Sequence, residues 1–211
     1  MLSEELESLA DRVYAAYEAL PEADGLRVDP ALLAQKLLGL KVAYRRLSRD
    51  GSILGLTAPA PVAVPVLEEG GRRWYALDGR TILLERGLLS SWVSPGRRNF
   101  TLMHEVGHRL LAGALSPGDE KAANRLASAL LMPRRLLRRN LAACPLPFWP
   151  LPDRWLDPER WCAFAGLAEL MGVSRRALAI RLEQLGLTGQ RRGWTLRSVP
   201  ALTPGTGELE E

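Results

Sequence analysis

The chain contains two histidines, and they stand four residues apart in the segment Phe100-Thr-Leu-Met-His104-Glu105-Val-Gly-His108-Arg-Leu-Leu-Ala112. On a helix, residues four apart project from one face, so His104 and His108 can present two imidazoles to a single ion with Glu105 beside them. This is H-E-x-x-H, the pattern of zinc hydrolases in which the carboxylate next to the first ligand acts as general base. Two histidines fall four apart by chance about once in a hundred chains of this size, and a glutamate after the first occurs about once in 15, so coincidence is on the order of one in a thousand. The neighbours Leu102, Met103, Val106, Leu110 and Leu111 predict a largely buried helix. A polar cluster buried there needs partners, and a metal would provide them.

Catalytic zinc usually has three protein ligands and keeps a fourth position for water. With no histidine left, cysteine or carboxylate must supply the third, and the next predicted helix offers Ser116-Pro-Gly-Asp119-Glu120-Lys-Ala-Ala-Asn124. Ser116 is expected to cap it, with Pro117 at the first helical position and Asp119 completing a capping box, which places Glu120 in the first turn. Asp119 is the rival ligand, although its capping position gives it another task. Asn124 lies one turn after Glu120, where its carbonyl oxygen can accept the remaining ring N–H of a ligating histidine. Glu120 and Asn124 are also residue types that occur as ordinary surface groups near a helix start.

The string R-R-N-F-T-L-M-H-E-V-G-H-R-L-L, followed by E-K-A-A-N-R-L-A-S-A-L-L-M-P from Glu120 to Pro133, closely resembles the ImmA/IrrE family of bacterial metallopeptidases. In that family F-T-x-x-H-E-x-G-H precedes a helix of the form E-x-x-A-N-x-F-A-x-x-L-L-M-P, and Leu126 stands here where phenylalanine is more usual. The likeness extends less specifically from Val28 to Leu187. It implies a zincin-like, minimal gluzincin α+β fold, a zinc site of two histidines and one glutamate, and cleavage of a helix-turn-helix (XRE-type) transcriptional repressor. Carried over position by position, His104, His108 and Glu120 would be the metal ligands, Glu105 the catalytic carboxylate and Asn124 a support for the ligands. The same ligands accept Mn2+, Fe2+ or Co2+ as well as Zn2+. With both histidines used as ligands, Tyr14, Tyr17, Tyr44, Tyr75 or an arginine must steady the oxyanion.

The elements that position this motif follow from periodicity. Leu2, Leu6, Leu9, Val13, Ala16, Tyr17 and Leu20 recur at helical spacing behind Ser3, until Pro21 and Gly25 end the run. Asp29-Pro30 predicts a second helix over residues 31–38, closed by Gly39. From Leu40 to Glu85 the texture alternates in short runs, LKVAYRRL, SILGLTA, PVAVPVL, RRWYAL and RTILLE, which are read as strands of a small, mostly antiparallel sheet. Asp78-Gly79 predicts a hairpin between Trp74–Leu77 and Thr81–Leu84. Pro59, Pro61 and Pro65 confine the third segment to an edge or a loop, and Val62 to Leu67 is the candidate edge for an extended substrate. Beyond Arg97 the chain reads helical except for Pro145–Trp155, where Phe148, Trp149 and Trp155 suggest a plug against the last helices. The expected organisation is a metallopeptidase core over 1–142, a helical, helix-turn-helix-like subdomain over 143–198 and a disordered tail over 199–211.

Composition is compatible with this and excludes other classes. With 211 residues, 47% of them hydrophobic, the chain is long enough to bury a core. The net charge of +4 is mild, and 25 of the 28 basic residues are arginine. Cys144 and Cys162 provide no disulfide framework. The acidic, amphipathic start is not that of a signal peptide, and charged residues, Gly or Pro interrupt every apolar run, so a cytoplasmic protein with no membrane partner and no small-molecule cofactor is expected.

Leu167 to Leu185 has the cadence of a DNA-reading motif: an apolar helix, a turn at Gly172-Val-Ser174, and a helix carrying Arg175, Arg176 and Arg181, with Arg191, Arg192 and Arg197 beyond. Leu178, Ile180, Leu182 and Leu185 explain the same segment as core packing, which is the expectation, and the basic run Pro133–Arg139 is read as a solvated helix face. The functional expectation is thus a zinc endopeptidase that cuts a partner repressor. The alternative from another class is a non-proteolytic, metal-containing regulator that binds a repressor or DNA. Glu105 argues against it, because a structural site needs no carboxylate base.

Overall fold

The structure, a computed structural model, describes residues 3–112, 119–144 and 157–187. It is a mixed α+β protein. Helix α1 is Ser3–Glu18, and α2 is Pro30–Leu32, capped by Asp29, whose carboxylate accepts from the amides of Ala31 and Leu32. The expected second helix continues, but as a π-helical stretch over Leu33–Leu37, in which the Leu38 amide reaches back to the Leu33 carbonyl. Gly39, at φ +63°, then turns the chain out.

Five strands follow: β1 (Lys41–Arg45), β2 (Gly55–Thr57), β3 (Val62–Glu68), β4 (Gly71–Leu77) and β5 (Thr81–Glu85). They form two sheets rather than one. In the first, β5 is central, parallel to β1 and antiparallel to β2. The second is the β3–β4 hairpin, closed between Glu68 and Gly71. The hairpin expected across Asp78-Gly79 is therefore not formed: Trp74–Leu77 pairs with β3, and Thr81–Leu84 enters the other sheet. The reason lies in burial. Ile82, Leu83 and Leu84 are all inaccessible to solvent, Ile82 and Leu84 facing the helical core and Leu83 facing Leu47, Val64, Val66 and Leu77 under the hairpin. A strand apolar on both faces belongs in the centre of a sheet, whereas Arg72, Arg73 and Trp74 of β4 are exposed. Asp78 instead organises the crossing, accepting from the Arg80 amide and the Thr81 hydroxyl and pairing with Lys41 at 2.7 Å.

A 3-10 turn at Arg86–Leu89 leads to α3 (Pro95–Leu111), whose Ser94 cap and Pro95 follow the usual rules for a helix start. Then come α4 (Glu120–Leu131), α5 (Arg134–Ala142), α6 (Pro158–Leu170) and α7 (Arg175–Gln184). One apolar core joins α1, α3, α4 and α5 to α6 and α7, so Phe164, Leu167, Leu178 and Leu182 pack with Leu6, Val106, Leu126 and Leu130. The aromatic loop of 145–156 and the tail of 199–211 lie outside the described residues.

Ion pairs fasten the helical layer. Arg181 is wholly buried on α7; its guanidinium holds both oxygens of Glu7 on α1 and donates to the Met132 carbonyl at the end of α4. Along α5, Arg134 pairs with Glu4 and Asp11, while Arg135 and Arg139 pair with Glu18. The basic run expected to be a solvated face is thus largely matched to the acidic side of α1. No helix of the described residues is long and apolar enough to cross a membrane.

Candidate metal centre

Helix α3 carries His104 and His108 on its flank towards α4, with their rings edge to face and 4.6 Å between centroids. The two Nε2 atoms are 3.0 Å apart. Glu120 reaches them from the first turn of α4, with Oε2 3.2 Å from His104 Nε2 and Oε1 3.4 Å from His108 Nε2. A close approach between the helices brings α4 to this position. Gly107 packs against the backbone of Ala123, where a Cβ would stand 3.0 Å from the Ala123 carbonyl oxygen, and Ala123 and Ala127 are small and fully buried. The cap of α4 differs from expectation. Asp119 is itself the N-cap, accepting from the Ala122 amide at 3.0 Å, and the helix begins at Glu120, while Ser116 and Pro117 lie outside the described residues. Asp119 is thereby occupied, and Glu120 faces the histidines.

The donor set fits a divalent ion. Ligands at 2.0–2.1 Å around a tetrahedral ion are separated by about 3.3 Å, close to the three distances seen. His104 Nδ1 lies 3.0 Å from Asn124 Oδ1. A ring N–H donated to that oxygen leaves the Nε2 lone pair pointing at His108 and Glu120. Three acceptors then converge, and only a cation or a proton between them satisfies them. Burial, then the neighbouring His108, lowers the pKa of His104, which keeps the ring neutral as a ligand requires. His104, His108 and Glu120 form the one such group of three potential metal-binding side chains among the described residues.

Glu105, the next residue after His104, lies beneath β2. It is buried, and burial, reinforced by the charge of Glu120, pushes its carboxyl up to about 7. One turn further along, Arg109 donates to the Ala58 carbonyl at 3.0 Å and ties the end of β2 to α3. The strand beside Glu105 is thus β2, and β5 is its only strand partner among the described residues. Residues 62–67, expected to be the substrate edge, pair instead with β4 away from this helix face, with one further bridge from Leu67 to Arg46. β2 lies within the segment SILGLTA, which the sequence marks as a strand, but no local signal distinguishes it from β3 as the strand beside Glu105.

None of the four tyrosines hydrogen-bonds to the cluster. Tyr17 accepts from the Asp29 amide, Tyr14 contacts Glu18 and Arg139, Tyr44 sits on the strand at the far edge of the sheet from β2, and Tyr75 lies under Arg45 in the hairpin region. The α6–α7 pair is capped by Ser174 and ended by Gly186 as expected, but its turn is docked on α3. Asn99 donates to the Gly172 carbonyl at 2.8 Å, and a Cβ at Gly96 would strike the Val173–Ser174 backbone. Arg175 stacks over Trp161, and Arg181, counted in sequence among residues able to meet phosphates, is committed to Glu7. Arg191, Arg192 and Arg197 lie outside the described residues.

No curated protein matches the chain. The family model of Peptidase_M78, the IrrE N-terminal-like domain, matches residues 88–183, from the turn before α3 into the end of α7. Both helices of the centre fall within that segment, which is thus similar to the IrrE N-terminal-like domain of a peptidase family.

Proposed function

We propose that the protein is a zinc-dependent endopeptidase that cuts a partner protein at a specific site, and that the partner is a helix-turn-helix repressor of the XRE type. The observation that carries the peptidase reading is the convergence of His104, His108 and Glu120 with a separate, buried carboxylate, Glu105, on the same helix. A purely structural site would need no such carboxylate and would be closed by a fourth protein ligand. The choice of a repressor as substrate rests on the family likeness.

When bound by His104, His108 and Glu120, zinc supplies Lewis acidity, which makes water a nucleophile near neutral pH and polarises the scissile carbonyl. The protein's own groups do the rest. Glu105 takes the proton from the attacking water and passes it to the leaving amine, a shuttle suited to a carboxyl whose pKa burial has brought near neutrality. Asn124 holds the His104 ring by its Nδ1–H. The outer edge of β2 offers backbone donors and acceptors to an extended peptide, which adds as a strand beside Glu105.

The test is intact mass spectrometry of the helix-turn-helix regulator encoded nearest this protein, after incubation with zinc-loaded wild type and, separately, Glu105→Gln. One discrete cut made by the wild type alone is expected. A regulator that binds both forms equally and stays intact would replace this reading with that of a non-proteolytic binding protein.

A further inference from the structure

Gly55 stands at a place where its backbone gives no reason for glycine. Its φ is not among the positive values that favour this residue, unlike those of Gly51, Gly70 or Gly79. It sits inside a strand, where glycine costs conformational entropy and leaves no side chain to pack. The explanation lies across the gap to α3. A Cβ built on Gly55 would come within 2.4 Å of Glu105 Oε1, 2.7 Å of its Cγ and 2.8 Å of its Cδ. The whole outer half of one buried side chain occupies the space that any other residue would fill.

The register shows why this space exists. Gly55 is opposite Leu84, which is opposite Tyr44, and Leu84 faces the helical core. The row therefore points at α3, and glycine ends it at the sheet edge, beside the metal cluster. β2 cannot lift away freely to admit a side chain. Its Ala58 end is held by Arg109 of the same helix, and its start by the Glu85 amide, which donates to the Leu54 carbonyl at 2.8 Å.

We propose that Gly55 is a positioning residue for Glu105: the absent side chain on the edge strand is the slot that sets where the Glu105 carboxylate lies relative to His104, His108 and Glu120. β2 then has two tasks, offering its outer edge to the peptide and shaping the seat of the base. The catalytic half of this proposal rests on the peptidase reading, whereas the steric half does not.

The experiment is a double-mutant cycle read in two ways. Thermal unfolding of the metal-free protein compares Gly55→Ala in the wild-type background with Gly55→Ala in Glu105→Ala, which removes all three clashing atoms. A loss of about 5 °C is expected in the first and about none in the second. If Gly55→Ala alone fails to fold, folding of the double variant supports the proposal equally, and failure of both overturns it. Equal losses in the two backgrounds also overturn it, because the need for glycine then lies in the strand itself. On the loaded enzyme, Gly55→Ala is expected to lower kcat at least tenfold with KM and zinc affinity unchanged. A fall in zinc affinity, or a rise in KM with kcat intact, removes the positioning role. Coupling in the stability cycle without any cleavage by the wild type would retire the peptidase reading and leave the steric one standing, while cleavage without coupling would do the reverse.

Discussion

The buried carboxylate of Glu105 makes the metal-free protein sensitive to pH in a way that Glu105→Gln removes. In the unfolded chain this group titrates near 4.5, and burial raises it to about 7 in the folded state. Below pH 4.5 both states are protonated and the group has no effect. Between 4.5 and about 7 the folded state holds a proton that the unfolded state has released, so stability falls as pH rises, and above 7 the full penalty is present. At 1.36 kcal/mol per unit the penalty is about 3 kcal/mol. Glutamine has the same shape and no charge to desolvate. Metal-stripped Glu105→Gln is therefore expected to unfold at about the same temperature as wild type at pH 4 and about 6–12 °C higher at pH 8. Calorimetry or circular dichroism in a chelating buffer across that range measures the gap. Addition of zinc narrows it, because a nearby cation favours the ionised carboxylate. Two melting curves that run parallel from pH 4 to pH 8 would show that Glu105 is well solvated, and would refute its placement beneath β2.

Three further outcomes are expected. Zinc at a hundredfold excess over its Kd raises the stability of the wild type by about 3 kcal/mol, a chelator reverses it, and His104→Ala or Glu120→Gln abolishes most of the effect; equal stabilisation of those variants would place the ion elsewhere. Asn124→Ala weakens zinc binding about 10–100-fold while leaving the unfolding of the metal-free protein unchanged, as isothermal titration and melting together would show. Arg181→Met costs about 3–5 kcal/mol in urea denaturation by stranding the buried Glu7, and adding Glu7→Leu recovers most of it; a neutral single variant would contradict the buried pair.

The grouping of side chains in the centre was legible in sequence because it depends on helical spacing. Four residues separate His104 from His108 and Glu120 from Asn124, and a helix turns any such spacing into a shared face whatever surrounds it. The caps at Asp29 and Ser174 were legible for the same reason, since each acts on amides two or three residues away. Strand partners were not. Asp78-Gly79 is a good local hairpin signal, yet β4 and β5 part company there, because Ile82, Leu83 and Leu84 need cover on both faces and only the centre of the sheet between helices and hairpin provides it.

What the sequence by itself determined is the identity of the candidate metal-binding side chains and the helices that carry them: local geometry and residue chemistry suffice for that. Tertiary structure decided what lies opposite. It brought Glu120 to both histidines, and it placed β2 rather than β3 beside Glu105. It also withdrew Arg181 from the surface into a pair with Glu7. Each of these joins residues far apart in the chain, so it depends on which surfaces can be buried together, and no local pattern encodes that.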